Sequence, residues 1–120
     1  MHVRGQVARD QVMNEKTKAK YDARAKIIKA MAHPTRLFIV DQLSRTETCV
    51  CELAAMIGAD VSTVSKHLSL LKAAGIVHDE KRGLQVFYSL KVPCILDFFR
   101  CVAEVQKLSA KEQVALATRK

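Results

Sequence analysis

The 120 residues are enough for one small domain but too few for two substantial hydrophobic cores. Hydrophobic residues make up 49% of the chain and aromatic residues only 5%, so the core must be built from aliphatic side chains, which favours helices over a β-sandwich or barrel. The formal net charge of +8 favours a polyanionic partner, with nucleic acid ahead of a membrane surface; a basic surface that serves only solubility is the alternative.

The sequence offers no signal for secretion or membrane insertion. No run of about 18 apolar residues occurs, and residues 1–26 lack the apolar centre of a signal peptide. We therefore expect a soluble cytoplasmic protein with no membrane partner. In a reducing compartment its four cysteines are expected to be free thiols, and ligation, redox sensing or simple burial can each explain them.

The first third of the chain is basic and predicts helices on both sides of Pro34. Residues 1–36 carry nine Lys and Arg residues against three acidic ones. Residues 1–21 have a weak helical period, so we expect a basic arm or a helix that needs a partner. Pro34 fits the first turn of a helix and separates two apolar sets. The sets are Ile27, Ile28, Ala30 and Met31 before it, and Leu37, Phe38, Val40 and Leu43 after it.

Two short helices joined by a tight turn are predicted in the middle of the chain. The first, CVCELAAMIG, can be capped by Thr46 or Thr48 and ends at Gly58. The polar link GAD leads to the second, VSTVSKHLSLLKAAGIV, which ends at Gly75. The apolar residues of this second helix recur at helical spacing. They are Val61, Val64, Leu68, Leu70 and Leu71.

The period then changes toward alternation, which predicts a β-hairpin followed by a last helix. The tip of the hairpin is expected around Lys81, Arg82 and Gly83. Pro93 begins the last helix, which has more apolar surface than a lone terminal helix should show and therefore indicates a dimer contact. The predicted dimer interface consists of Ile95, Leu96, Phe98, Phe99 and Val102.

Two short helices followed by a basic two-stranded hairpin are typical of a winged helix-turn-helix. The predicted fold class is therefore mainly α with a small β-hairpin: a dimeric winged helix-turn-helix. We expect 1–120 to form a single domain, with its core at about 22–105, a basic N-terminal helix or arm at 1–21 and a C-terminal tail at 108–120.

In this fold the second helix enters the major groove of double-stranded DNA by its N-terminal end. That end carries short polar or basic side chains, which can reach base edges and phosphates. The predicted DNA contacts are Ser62, Thr63, Ser65, Lys66 and His67 on the helix, with Lys81, Arg82 and Gln85 on the hairpin. The alternatives are ordinary helix capping, for which Ser62 is the best candidate, and a structural role for His67.

Four segments resemble the ArsR/SmtB family of bacterial metal- and redox-responsive transcriptional repressors. They are KAMAHPTRLFIVDQL, CVCELA, STVSKHLSLLKAAGIV and GLQVFYSL, in the family's order and spacing, and the resemblance covers about residues 22–105. The resemblance implies a winged-helix homodimer, held by its first and last helices. Such a dimer represses an operon from its operator DNA until an inducer binds and lowers the DNA affinity.

Cys49 and Cys51 match the thiol motif of the family's arsenite, antimonite, cadmium and lead responders. This match implies a thiophilic metal(loid) inducer, As(III) or Sb(III) ahead of Cd(II) or Pb(II), and no organic cofactor. On a regular helix the two side chains would lie about 200° apart, so ligation of one ion would strain or unwind the first turn. A helix N-terminus with basic residues nearby should also lower the pKa of the thiols.

The source of a third ligand stays open. The position one turn later, where arsenite sensors can carry a third cysteine, is Ala54, and residues 1–48 contain no cysteine. Cys94 or Cys101 could complete the site, from the same chain or from the other subunit, or both could serve only interface packing. About 10 Å of helix separates the two, so one ion cannot join both from a single chain. The last helix also departs from the family's zinc and cobalt pattern of paired Asp, His and Glu residues, so the resemblance implies no zinc site there. The corresponding positions are Val92, Cys94, Val105 and Leu108.

Two other functions compete with metal(loid) sensing. The first keeps the fold and makes the protein a thiol redox or persulfide sensor, in which a cysteine near the DNA-contacting helices pairs with one on the last helix. The second is a small thiol oxidoreductase or metal-delivery protein. A redox enzyme would show two cysteines spaced by two residues after a strand, and this pattern is absent. We therefore predict that the chain is not an enzyme.

Overall fold

The computed structural model describes residues 12–118, and within them five helices enclose a small three-stranded sheet. The helices and strands follow the chain in the order helix, helix, strand, helix, helix, strand, strand, helix. They are α1 (Glu15–Met31), α2 (Pro34–Arg45), β1 (Thr48–Cys49), α3 (Val50–Ile57), α4 (Val61–Ala73), β2 (Val77–Arg82), β3 (Gln85–Leu90) and α5 (Ile95–Thr118). The winged helix-turn-helix that the sequence predicts is confirmed: α3 and α4 form the helix pair, and β2 and β3 form the wing.

α1 is one continuous helix of 17 residues that crosses the boundary expected at residue 21. It begins where the Oδ1 atom of Asn14 accepts a hydrogen bond from the backbone N–H of Thr17 at 2.8 Å. Its residues include no Gly or Pro and are rich in Ala, Lys and Arg, so nothing interrupts the helix. The helix expected within 1–21 thus begins at residue 15 and continues past residue 21, and residues 1–11 lie outside the part of the chain that the structure describes.

α2 begins with Pro34 in its first turn, as predicted. The preceding residue, His33, caps the helix: its Nδ1 atom accepts a hydrogen bond from the backbone N–H of Thr35 at 3.1 Å.

The sequence did not predict β1, and this strand changes the start of α3. Thr48 and Cys49 are extended, and the N-cap residue of α3 is Cys49, which makes no side-chain capping hydrogen bond. The expectation that Thr46 or Thr48 caps this helix is therefore wrong. The hydroxyl of Thr48 is buried and donates instead to the carbonyl oxygen of Thr46 at 3.0 Å. At the other end, Gly58 adopts the left-handed conformation that stops the helix, as predicted (φ 77°).

α4 is capped by Asp60 and not by Ser62. The Oδ1 atom of Asp60 accepts from the backbone N–H of Thr63 at 2.8 Å and from the hydroxyl of Ser62 at 3.1 Å. A carboxylate is the stronger acceptor at a helix N-terminus because the helix dipole favours negative charge there. The predicted end at Gly75 is confirmed, since Gly75 has a φ of 82°.

The sheet has the order β1-β3-β2, and all its pairs are antiparallel. Arg82 pairs with Gln85, so the turn of the wing consists of Gly83 and Leu84. The tip expected around Lys81, Arg82 and Gly83 is therefore correct at Gly83, whereas Lys81 and Arg82 are the last two residues of β2. Strand β1 adds only two pairs, Thr48 with Tyr88 and Cys49 with Phe87, but these attach the start of α3 to the wing.

The core lies between α2, α3, α4 and the sheet. Ile39, Val40, Leu53, Val64, Leu68 and Leu71 are all fully buried. α5 contributes no buried residue and runs to Thr118. Residues 108–118 therefore belong to this helix, and the C-terminal tail expected at 108–120 is wrong for them. Residues 108–118 contain no Gly or Pro to end the helix. None of the helices in residues 12–118 combines the length and the apolar character needed to cross a membrane.

Replacing Leu68 by Ala should lower the free energy of unfolding by about 2–5 kcal/mol, because the buried side chain leaves a cavity when it is truncated. Leu70→Ala is the matched control: Leu70 is on the same helix and 52% exposed, so its truncation should cost about 1 kcal/mol or less. Urea unfolding at one fixed protein concentration measures both values. Equal losses in the two variants would contradict the assignment of α4's buried face.

Candidate thiol site and nucleic-acid interface

The sulfur atoms of Cys49 and Cys51 lie 2.8 Å apart. Cys49 ends β1 with an extended backbone (φ −78°, ψ 158°), whereas Cys51 is the second residue of α3. The two thiols therefore do not share a regular helix, and their side chains converge without any unwinding. This geometry contradicts the expectation that one ion could join them only by straining the first turn. Cys49 is buried and Cys51 is exposed, so the pair has one open side.

The pKa of the Cys49 thiol is raised, first because it shares a hydrogen bond with Cys51 and then because it is buried. The backbone N–H of Glu52, at the start of α3, acts in the opposite direction and does not compensate. The expectation that the helix N-terminus lowers the pKa is therefore wrong for this thiol. A soft ion that binds both sulfurs must displace both thiol protons, including the one in the hydrogen bond between them.

A cavity of about 230 Å³ opens beside the two thiols. It brings together the start of α3, the start of α4 and the wing. Its lining residues are Cys49, Val50, Cys51, Val61, Ser65, Leu84, Gln85 and Val86. The side-chain amide of Gln85 points its N–H group at the sulfur of Cys51, at 3.9 Å. A molecule bound to the thiols would therefore contact α4 and the wing at the same time.

Residues 12–118 place no third metal ligand beside the two thiols. Residues 12–118 contain no group of three His, Cys, Asp or Glu side chains arranged to hold one ion. Cys94, just before α5, and Cys101, within it, are both exposed, and neither joins Cys49 and Cys51 in a site of that kind. Within one protomer the thiol site is thus a pair.

The N-terminal end of α4 presents the predicted polar side chains unequally. Ser62, Thr63 and Lys66 are exposed, although Ser62 and Thr63 also hydrogen-bond Asp60. Ser65 is half-buried and faces the thiol cavity, so it links the two predicted sites.

His67 connects α4 to α2. Its Nδ1 atom accepts a hydrogen bond from the guanidinium of Arg36 at 3.1 Å, and its ring lies 4.7 Å from that of His33. Arg36 also donates from Nε to the carbonyl oxygen of Ala30 at 2.6 Å, which ties the end of α1 into the same junction. Burial, and after it the charges of His33 and Arg36, lowers the pKa of His67. These contacts support the structural role that the sequence left as the alternative for this residue.

On the wing, Lys81 is exposed but Arg82 is engaged within the protein. Its guanidinium donates two hydrogen bonds to the carboxylate of Glu47, at 2.5 and 3.0 Å, and a third to Glu80 at 2.9 Å. It also lies over the ring of Phe87, 4.8 Å from the centroid. Arg82 holds the pKa of Glu47 below its ordinary value. No local pattern indicates Glu47 as this partner, because it is 35 residues away from Arg82 along the chain.

The residues predicted for a dimer interface lie along α5 with different exposures. Ile95 and Phe99 pack partly on the core, and Leu96 is also half-buried. Phe98 and Val102 are 44% and 45% exposed. The last two border an open, mainly apolar groove of about 480 Å³. The groove lies between α5, the end of α1 and the start of α2, and its other walls include Ile28, Met31, Leu37 and Phe38.

Comparison with protein families finds a match over residues 33–79 to the family described as "Bacterial regulatory protein, arsR family". The transcriptional regulator MJ1325 of Methanocaldococcus jannaschii is 36% identical over 87 residues, which cover 72% of this chain and 98% of that protein. The transcriptional repressor SmtB of Mycobacterium tuberculosis is 42% identical over 69 residues, or 58% of this chain. A homologue of the cadmium resistance regulatory protein CadC from Staphylococcus aureus is 45% identical over 67 residues, or 55% of this chain. The chain spans only 51% of SmtB and 55% of the CadC homologue.

Two solved structures extend the similarity to the fold. NolR from Sinorhizobium fredii superposes with a TM-score of 0.72 at 28% identity, covering 79% of this chain and 95% of NolR. The homodimeric winged helix-turn-helix DNA-binding domain of Mb0332 from Mycobacterium bovis gives a TM-score of 0.71 at 26% identity, covering 92% of this chain and 95% of that domain.

Removing the Cys51 sulfur should lower the pKa of Cys49, because it removes the hydrogen bond that is the largest cause of the upward shift. The variant Cys51→Ala is made in a chain that also carries Cys94→Ser and Cys101→Ser, so that the ultraviolet absorbance of the thiolate reports Cys49 alone. Met56→Ala in the chain with both thiols is the control, since Met56 is on α3 but does not line the cavity. A Cys49 pKa that stays unchanged or rises in Cys51→Ala would contradict the shared proton.

Proposed function

The chain belongs to the ArsR family of bacterial regulatory proteins, and from this membership and the thiol cavity we propose that it is a transcriptional repressor that binds double-stranded operator DNA and releases it when a thiophilic metal(loid) binds Cys49 and Cys51. As(III) and Sb(III) are the favoured inducers, and Cd(II) and Pb(II) are less favoured. One observation carries the proposal: the two sulfurs meet in a cavity whose other walls are α4 and the wing.

The charge distribution supports DNA as the partner. Residues 61–91, which form α4 and the wing, carry five Lys and Arg residues against two acidic ones. Ser62, Thr63 and Lys66 on α4 are exposed, and Lys81 is exposed on the wing. In a winged helix-turn-helix these positions contact base edges and phosphates. Three other predicted contacts are proposed to hold α4 and the wing in position. They are Gln85, which extends toward the thiol cavity, and the half-buried Ser65 and His67.

A homodimer would double these contacts. The mainly apolar groove between α5, α1 and α2 is open in the protomer, and we propose that a second copy covers it through Leu96, Phe98 and Val102. Ile95 and Phe99 support this surface from the core side. The homodimeric state of the similar Mb0332 domain is consistent with this assembly. Two copies of α4 one DNA turn apart would recognise a palindromic operator.

The donor set favours a soft inducer. Two sulfurs form the site, and residues 12–118 place no third His, Cys, Asp or Glu beside them, whereas zinc prefers four protein ligands in closed sites. Thiolates select soft ions, which include the trivalent metalloids and cadmium. The CadC homologue, named for cadmium resistance, supports a metal-ion inducer in general. As(III) and Sb(III) are preferred here because they need fewer ligands than Cd(II).

The proposed mechanism is a shift between two arrangements of the cavity. An ion replaces the two thiol protons of Cys49 and Cys51 and pushes against Val61 on α4 and Gln85 on the wing. The relative position of α4 and the wing then changes, and DNA is held less well. The ion acts as an inducer if it binds the DNA-free arrangement more tightly by a few kcal/mol.

A thiol redox sensor is the second candidate, and the short distance between the two sulfurs favours it. A polysulfide could oxidise Cys49 and Cys51 to a disulfide; it would take up two electrons and be cleaved in the process. This version differs from the one expected from the sequence, which joined a cysteine near α3 to one on α5. A reduced protein that ignores arsenite and cadmium but releases DNA on treatment with polysulfide would refute the metal(loid) proposal in favour of this one.

Arsenite should lower the affinity of the reduced protein for DNA by about 5- to 150-fold, the usual range of coupling between two ligands. The DNA is a fragment that the protein selects from a random pool, and fluorescence anisotropy measures binding. Cys51→Ser should abolish the response and keep the DNA affinity, since Cys51 is exposed and its replacement leaves the core intact. Cys94→Ser and Cys101→Ser are the controls and should respond like the parent chain; a lost response in either would contradict the two-thiol site.

Glu47→Gln should increase DNA affinity, because it frees Arg82 to contact a phosphate. The slope of log K against log salt concentration should steepen by about 0.9, the value for one additional phosphate contact. Asp79→Asn, on β2, makes the same change of net charge but frees Lys72 instead, so it measures the general charge effect. If Glu47→Gln and Asp79→Asn behave alike, Arg82 is not withheld from DNA by Glu47.

A further inference from the structure

A further cavity, of about 410 Å³, lies between the C-terminal half of α1, Arg36 of α2 and the C-terminal half of α4. It is distinct from the apolar groove that we propose a second copy covers. On α1 the groove is lined by Ile28 and Met31. The cavity is lined by Ile27 and Ala30, on another side of the same helix. A second copy seated on the groove therefore does not need to occupy the cavity.

The walls of this cavity combine positive charge with apolar surface. Its charged lining residues are all basic: Lys26, Lys29 and Arg36. The rest of the lining is apolar and includes Ile27 and Leu70, which are 43% and 52% exposed. Within residues 12–118 none of the three basic side chains forms an ion pair with Asp or Glu. The ligand that suits such walls is an anion with an apolar body.

Arg36 is the fixed cation of the cavity. It is half-buried, its Nε atom donates to the carbonyl oxygen of Ala30 at 2.6 Å, and its Nη1 atom donates to Nδ1 of His67 at 3.1 Å. A guanidinium has five N–H groups in one plane, so these two bonds leave donors that can bind a carboxylate. Among residues 12–118 no carboxylate neutralises this partly buried charge. An anion should therefore bind more strongly here than at an exposed lysine.

We propose that this cavity binds a medium-chain fatty acid. Its carboxylate accepts hydrogen bonds from Arg36 and faces the two lysines, and its alkyl chain covers Ile27 and Leu70. The cavity is larger than the roughly 150 Å³ of an apolar cavity that admits benzene, so a chain of about eight carbons can enter.

The bound acid would connect three helices. Arg36 already joins the end of α1 to α4 through Ala30 and His67, and Leu70 extends the contact along α4. The cavity shares no lining residue with the thiol cavity. Acid binding is therefore independent of the metal(loid) response proposed above, and Cys51→Ser should bind the acid as tightly as the parent chain does.

The test compares three ligands on the reduced full-length chain: octanoate, acetate and octanol. Acetate lacks the chain and octanol lacks the charge. Isothermal titration calorimetry measures the Kd values, and the midpoint of thermal unfolding supplies a second readout, because a ligand that binds only the folded state raises it. Octanoate should bind at least about tenfold more tightly than either of the other two, since each of them loses one half of the recognition.

Two variants locate the bound ligand. Replacing Lys26 and Lys29 together by Gln should weaken octanoate binding by at least about fivefold, the upper value for one exposed ion pair. Replacing Lys18 and Lys20 together by Gln is the matched control, because both are exposed on α1 outside the cavity, and it should bind octanoate like the parent chain. Leu70→Ser should weaken octanoate by about tenfold and leave acetate unchanged.

Octanoate that binds no more tightly than acetate, octanol or inorganic phosphate would overturn the proposal. The same holds if the two double-lysine variants bind octanoate alike, or if Leu70→Ser binds it like the parent chain, because the acid then lies elsewhere. DNA is the other polyanion that the three cations could serve. If the parent chain binds no octanoate, and loss of Lys26 and Lys29 weakens DNA binding with a shallower salt slope, these residues contact phosphates and the proposal fails.

Discussion

The pairing of β1 with β3 is the constraint on which the thiol site depends. Only two residue pairs form it, Thr48 with Tyr88 and Cys49 with Phe87. It holds Cys49 in an extended conformation immediately before α3, and this conformation turns its sulfur toward that of Cys51. If the helix had begun at Thr48 instead, the two thiols would lie about 200° apart. A two-residue strand thus converts a Cys-X-Cys sequence into a pair of adjacent sulfurs.

The same strand joins the thiols to the wing. Thr48 is buried, and its hydroxyl donates to the carbonyl oxygen of Thr46, so this buried hydroxyl is not left without a partner. Just before it, Glu47 receives the two hydrogen bonds from Arg82. An exposed ion pair of this kind adds little to stability. The ion pair instead fixes a position, because it connects the end of β2 to the segment just before β1 and α3.

Local signals in the sequence predicted the elements that are governed locally. Pro34 fixed the start of α2, and Gly58 and Gly75 fixed the ends of α3 and α4, because a ring or a positive φ acts on its own residue. β1 could not be predicted, since two residues show no period and their partners lie about 40 positions away along the chain. The bond from Arg82 to Glu47 escaped for the same reason. Asp60 was overlooked as a cap because the serine and threonine that follow it match the same preference.

The position of the cavity determines how the inducer and DNA would influence each other. In the proposed mechanism both ligands act on the same two elements, since the inducer contacts α4 and the wing from the inside and DNA contacts them from the outside. No separate pathway through the core is needed to connect the two sites. Coupling between two ligands is reciprocal, so DNA that holds α4 and the wing in one arrangement must weaken inducer binding by the same factor. In the proposed mechanism the Arg82–Glu47 pair belongs to this balance as well, because it connects the wing to the residue just before the strand that carries Cys49.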